Sequence, residues 1–224
     1  MARVVASGRV AASGRVAATG RVSVPASENL FLYSNDYDQA SAWTRFSLAA
    51  GPSPTTSAPD GTNTAEGLVG DATTSIHRMQ SNGLISPTSI GMTCILRGYA
   101  KRGNVNWSRC TVNSVGSTAY FDLLNGAVGT TSNLVGAATI VDAVADYPSL
   151  GAGSGWWRFL MSFLWTTNSC QFWAATANGG TTFLGDGATV NTYFWRLQFA
   201  RTNRNIPSLQ TTGAAVATGV RSAP

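Results

Sequence analysis

Residues 156–165 read WWRFLMSFLW. In an extended strand alternate side chains face opposite ways, so Trp157, Phe159, Met161, Phe163 and Trp165 form one side and Trp156, Arg158, Leu160 and Ser162 the other. The first side is wholly apolar and is assigned to a core; the second mixes polar and apolar residues, as a sheet's outer face does. A second stretch, NTYFWRLQFA at 191–200, divides the same way, with Tyr193, Trp195, Leu197 and Phe199 against Phe194, Arg196 and Gln198.

Working outward, further apolar or alternating runs recur: NLFLYS (29–34), MTCILRGYA (92–100), NWSRCTV (106–112), TAYFDLL (118–124) and CQFWAA (170–175). Turn-forming clusters separate them, including Pro59-Asp60-Gly61, Asn125-Gly126 and Gly185-Asp186-Gly187. Seven or more strands without a helical period predict an all-β antiparallel sandwich. Composition agrees: 11 % of residues are charged, while glycine (24) and tryptophan (7) are plentiful, a profile of polar but uncharged β surfaces.

The formal charge of +5 is concentrated at one end. Residues 1–22 contain Arg3, Arg9, Arg15 and Arg21 and no acid, which leaves +1 for the remainder. Here ASGRVA, ASGRVA and ATGRVS follow at a spacing of six. That period scatters arginines around a helix, but six is even, so a strand segregates them. Arg3, Arg9, Arg15 and Arg21 share a face with Ser7, Ser13 and Thr19, and Val4, Val10, Val16 and Val22 share the other with Ala6, Ala12 and Ala18. Such a strand spans about 60–70 Å at roughly 3.3 Å per residue and has no sheet of its own to join. We therefore divide the chain into an assembly arm, 1–26, and a sandwich domain with a C-terminal tail, 27–224.

Catalytic and metal chemistry find little footing. His77 is the single histidine and no nucleophile elbow accompanies it. Cys94, Cys110 and Cys170 lack zinc spacing and are read as buried thiols in a reducing compartment. Asp60 and Asp186 precede glycines in turns, and Asp36 and Asp38 are loop acids without an EF-hand pattern. No catalytic residue, metal site or cofactor is expected, and the chain is not expected to be an enzyme. There is neither an 18-residue apolar run nor a signal-peptide core, so no membrane contact is expected. Nucleic acid is also disfavoured, because four widely spaced arginines neutralise few phosphates. One candidate binding face remains: Arg97, Tyr99 and Lys101 share a side of one strand, and Trp107 and Arg109 a side of the next. Together they are expected to form a surface for a glycan or for a protein interface.

Six segments, in order, resemble those of bacteriophage tail-fibre and virion jelly-roll modules related to carbohydrate-binding modules: NLFLYSNDYDQASAWTR, SAPDGTNTAEGL, AYFDLLNGAVGTTS, GSGWWRFLMSF, GDGATVNTYFWRLQ and IPSLQTTGAAV. The resemblance covers residues 29–217 and leaves the arm outside. It departs from the pattern YxWGAQLE in the last strand, where Arg196 stands at the small-residue position and Ala200 at the acidic one. It implies a jelly roll carried on a virion assembled in the host cytoplasm. The expected partners are the major coat or tail proteins of the same particle, further copies of the chain, for example in a trimer, and a host glycan.

Overall fold

The computed structural model describes residues 29, 31, 36–49, 54–82, 91–112, 116–165 and 169–200. All of them fall within one unit, Ser27–Gly219. The arm residues Arg3, Val4, Arg9, Val10, Arg15, Val16, Arg21 and Val22 lie outside the described residues.

In chain order the strands are β1 (Trp43–Phe46), β2 (Pro54–Thr56), β3 (Ala65–Val69), β4 (Thr74–Ser75), β5 (Arg78–Ser81), β6 (Thr93–Arg102) and β7 (Trp107–Val112). There follow β8 (Ser117–Asp122), β9 (Ala127–Ser132), β10 (Thr139–Asp142), β11 (Trp156–Leu164), β12 (Cys170–Ala175), β13 (Phe183–Leu184) and β14 (Val190–Ala200). Two single-turn 3₁₀ segments, Ala143–Ala145 and Pro148–Leu150, stand between β10 and β11. Among the described residues no helix is long and apolar enough to cross a membrane.

Two six-stranded sheets, ordered β1-β5-β12-β7-β8-β9 and β10-β11-β6-β14-β3-β2, pair antiparallel throughout and pack as a sandwich. The chain crosses repeatedly between the two sheets, and β12 is inserted between β5 and β7. A separate antiparallel pair joins β4 and β13. Rings from both sheets interleave in the core. Phe121 of β8 meets Phe159 of β11 at 5.2 Å between centroids, and Phe172 of β12 meets Phe194 of β14 at 5.7 Å. Phe159, Met161, Phe163 and Trp165 are buried there and Trp157 packs against them, as alternation predicts. Each full aromatic burial stabilises the fold by about 3–5 kcal/mol against truncation to alanine.

Alternation fails in β14. The predicted inner set Tyr193, Trp195, Leu197 and Phe199 is split: Leu197 and Phe199 enter the core with Phe194, whereas Tyr193 and Trp195 join a smaller cluster on the outer face. The cause is a β-bulge. Trp195 pairs with Tyr99 and Gln198 with Arg97, so Arg196 and Leu197 together oppose Gly98. Arg196 takes a left-handed φ of 46°, and a Cβ at Gly98 would lie 2.6 Å from the Leu197 side chain. One extra residue reverses the parity of everything before it.

Candidate functional site

The two outer faces of the sandwich differ, and the predicted glycan face is divided between them. Arg97, Tyr99 and Lys101 belong to β6 in one sheet; Trp107 and Arg109 belong to β7 in the other. β6 and β7, consecutive in the chain, lie in opposite sheets, so these five residues do not form one surface.

On the β6 side the chain covers itself. Asp142 caps the first 3₁₀ turn through the Val144 N–H, and the segment that follows lies over the sheet. Tyr147 meets Tyr99 and Trp195 edge-to-face, with ring centroids 5.6 and 5.5 Å apart. The Tyr99 hydroxyl donates to Asp146 (2.9 Å), which also accepts from Arg158 (2.5 and 2.7 Å). Arg196 donates to the Tyr147 hydroxyl (2.7 Å) and to Asp60 (2.9 Å), and Arg97 donates to Gln198 (2.6 Å). Arg97 and Tyr99 are therefore 8 % and 6 % exposed and already bonded. Lys101 remains half-exposed between two shallow clefts of ≈ 430 and ≈ 510 Å³ that share it and Ser154.

The β7 side is built differently. The cross-strand register aligns Phe46, Arg78, Trp173, Arg109 and Tyr120 in one row across β1, β5, β12, β7 and β8. Cation and ring alternate. The Arg78 guanidinium lies 4.2 Å from the Phe46 centroid and 5.1 Å from that of Trp173; the Arg109 guanidinium lies 4.0 Å from Trp173 and 5.6 Å from Tyr120. Each contact contributes about 0.5–2 kcal/mol, more as water is excluded. The next row is uncharged: Gln171 donates to Gln80 (2.8 Å) and accepts from Arg78 and the Trp173 indole (3.1 Å each), and Thr111 meets Thr118 (3.2 Å). Trp107 lies beyond the row against Gly129, where a Cβ would come 2.6 Å from its ring, and next to Asn178. It is half-buried.

Electrostatically this row is unbalanced. The Nε atoms of Arg78 and Arg109 are buried and have no hydrogen-bond partner. Among the described residues no carboxylate pairs with either guanidinium. Burial and, after it, the like charge of Arg109 pull the Arg78 pKa below its ordinary value. Of the row's five residues the sequence reading found Arg109 alone. Phe46, Arg78, Trp173 and Tyr120 each have the right parity in their own strand, but the insertion of β12 that aligns them leaves no trace in any one segment.

The remaining candidates have structural roles. His77 is 0 % exposed and its ring nitrogens contact the backbone carbonyls of Ser47 (2.5 Å) and Phe183 (2.9 Å), which ties the end of β1 to β13. Asp60 accepts from the Thr62 N–H beside Gly61, whose φ is 82°, and Asp186 accepts from Ala188 and Thr189 beside Gly187, whose φ is 72°. Asp36 accepts from Gln39, and Asp38 pairs with Arg45. Cys94, Cys110 and Cys170 are free and buried. Among the described residues no group of His, Cys, Asp and Glu is arranged to hold a metal ion.

Compared with known proteins, the chain matches no family model and no curated sequence. Fold and face together define an antiparallel β-sandwich in which one outer face is covered by the segment after β10 and the other carries two half-buried arginines set between aromatic rings.

Proposed function

We propose that this chain is a bacteriophage virion structural protein, an accessory head or tail decoration protein anchored to neighbouring subunits by its N-terminal arm. The observation that carries the reading is the guanidinium–aromatic row on the β7 side. Arginine and aromatic residues are enriched at protein contacts, and two cations here are left for a partner to satisfy. The virion assignment draws further support from the six ordered segments that resemble phage jelly-roll modules. The arm adds a second attachment. Its alternating Arg and Val faces suit strand addition to a neighbour's sheet edge, where backbone hydrogen bonds supply affinity and alternation sets register. Coat or tail proteins and further copies of the chain, as in a trimer, are the partners this predicts.

Removing residues 1–23 tests the reading. The truncated chain is expected to fold, with an unchanged circular dichroism spectrum, and to be missing from purified particles. Incorporation at the normal level overturns it.

A second reading, recognition of a host glycan, is favoured by the clefts flanking Lys101, one of which is lined by Ser57, Ser149 and Ser154. Glycan-array binding that is lost in Lys101→Ala would support it.

A further inference from the structure

We propose that the outer face of the β1–β9 sheet docks a segment of another protein that presents two carboxylates, one to Arg78 and one to Arg109. This rests on the reading of the chain as an assembly protein and names the chemistry of its partner.

Charge is the first argument. Among the described residues Arg45, Arg158 and Arg196 already hold Asp38, Asp146 and Asp60. Arg78 is bonded to the neutral amide of Gln171 (3.1 Å), and Arg109 is engaged through ring contacts alone. Ring contacts on both sides hold each guanidinium in place, and with Nε buried it is the terminal N–H groups that would meet a carboxylate, at little further cost in side-chain order. The two arginines flank β12, so two strand spacings, roughly 10 Å, separate their backbones. Like charges held that close on a partly desolvated face repel, and an acidic partner relieves the repulsion.

The rings then decide the class of partner. A pyranose ring is held by laying its apolar face on an open aromatic ring. Trp173 has no face to offer: Arg78 approaches from one flanking strand and Arg109 from the other, and the indole is 5 % exposed. The adjacent Gln171 and Gln80 are bonded to each other. What the face offers is charge-assisted donors set between aromatic rings, which carboxylate side chains of a protein match.

Anisotropy of a fluorescent poly-L-glutamate peptide, titrated with the full chain at low salt, tests this. The wild type is expected to bind, and Arg78→Gln and Arg109→Gln each to weaken binding by roughly tenfold. Arg102→Gln removes the same charge from an exposed position in the other sheet and is expected to change affinity by less than about twofold. No binding by the wild type, or equal losses in all three variants, overturns the proposal. Polygalacturonate carries its carboxylates on pyranose rings; binding as tight as that of poly-L-glutamate overturns the assignment of a protein partner. Thermal midpoints establish that each variant is folded, and Arg109→Lys, which keeps the charge, is expected to recover part of the affinity lost in Arg109→Gln. Absence of recovery overturns a direct carboxylate contact. These outcomes are independent of the arm truncation, which tests particle incorporation and leaves this face intact.

Discussion

Glu66 faces inward from β3 and is 3 % exposed, with its carboxylate accepting from the Tyr37 backbone N–H at 2.9 Å. Burial, opposed by that hydrogen bond and by Arg45 and reinforced by Asp38 and Asp36, pushes its pKa up to about 8 from 4.5. The folded state therefore binds a proton more tightly than the unfolded chain. The resulting stability is fully present below about pH 4.5 and is lost as pH rises through about 8. Glu66→Gln keeps an acceptor for Tyr37 and abolishes the titration. Its urea midpoint is expected to match the wild type near pH 4 and to exceed it at pH 9 by the equivalent of about 3–5 kcal/mol. A wild-type midpoint with no decline between pH 5 and 9 would contradict the assignment. Nothing in AEGLV betrays this residue, because an acid on an inward parity looks the same in sequence as an acid on an outward one until the strand's faces are known.

At the scale of the strand, β14 marks the limit of alternation. Parity assigns the inner face of β11 correctly because β11 runs without interruption, and it misassigns Tyr193 and Trp195 because the bulge at Arg196 changes the count. The clue in the sequence is on the other strand: Gly98 interrupts an otherwise bulky β6, and an isolated glycine in a strand often marks a bulge or a close backbone approach. Arg196 holds its left-handed conformation through Asp60, Tyr147 and a 4.2 Å contact with the Trp195 ring. Arg196→Ala removes these contacts and keeps the strain, so it is expected to cost about 1–3 kcal/mol. Arg196→Gly loses the same contacts but adopts positive φ freely, and is expected to cost about 1 kcal/mol less. Chemical denaturation of the two variants measures the difference; a glycine variant no more stable than the alanine variant would show that the backbone there is unstrained.

For the whole molecule, the all-β sandwich and most of its long strands were legible from periodicity and turn residues, whereas strand order was not. The divided glycan face and the unforeseen row both follow from that gap, since sheet neighbours are set by a topology that local patterns do not encode. The core also makes a global prediction. Cys94, Cys110 and Cys170 are each 0 % exposed, and burial raises the pKa of Cys110 and Cys170, which suppresses the thiolate. All three are expected to resist a thiol reagent in native buffer and to react together at the rate of global unfolding; early labelling of one would reveal local opening. The row of Phe46, Arg78, Trp173, Arg109 and Tyr120 has a related consequence. Its central strand, β12, is wedged between two strands made much earlier, so the alternating stack does not exist until the late part of the chain has closed the sheet. A partner of the proposed kind, gripping both arginines, would therefore bind only a subunit whose sheet is complete, because an unfinished sheet presents no such pair.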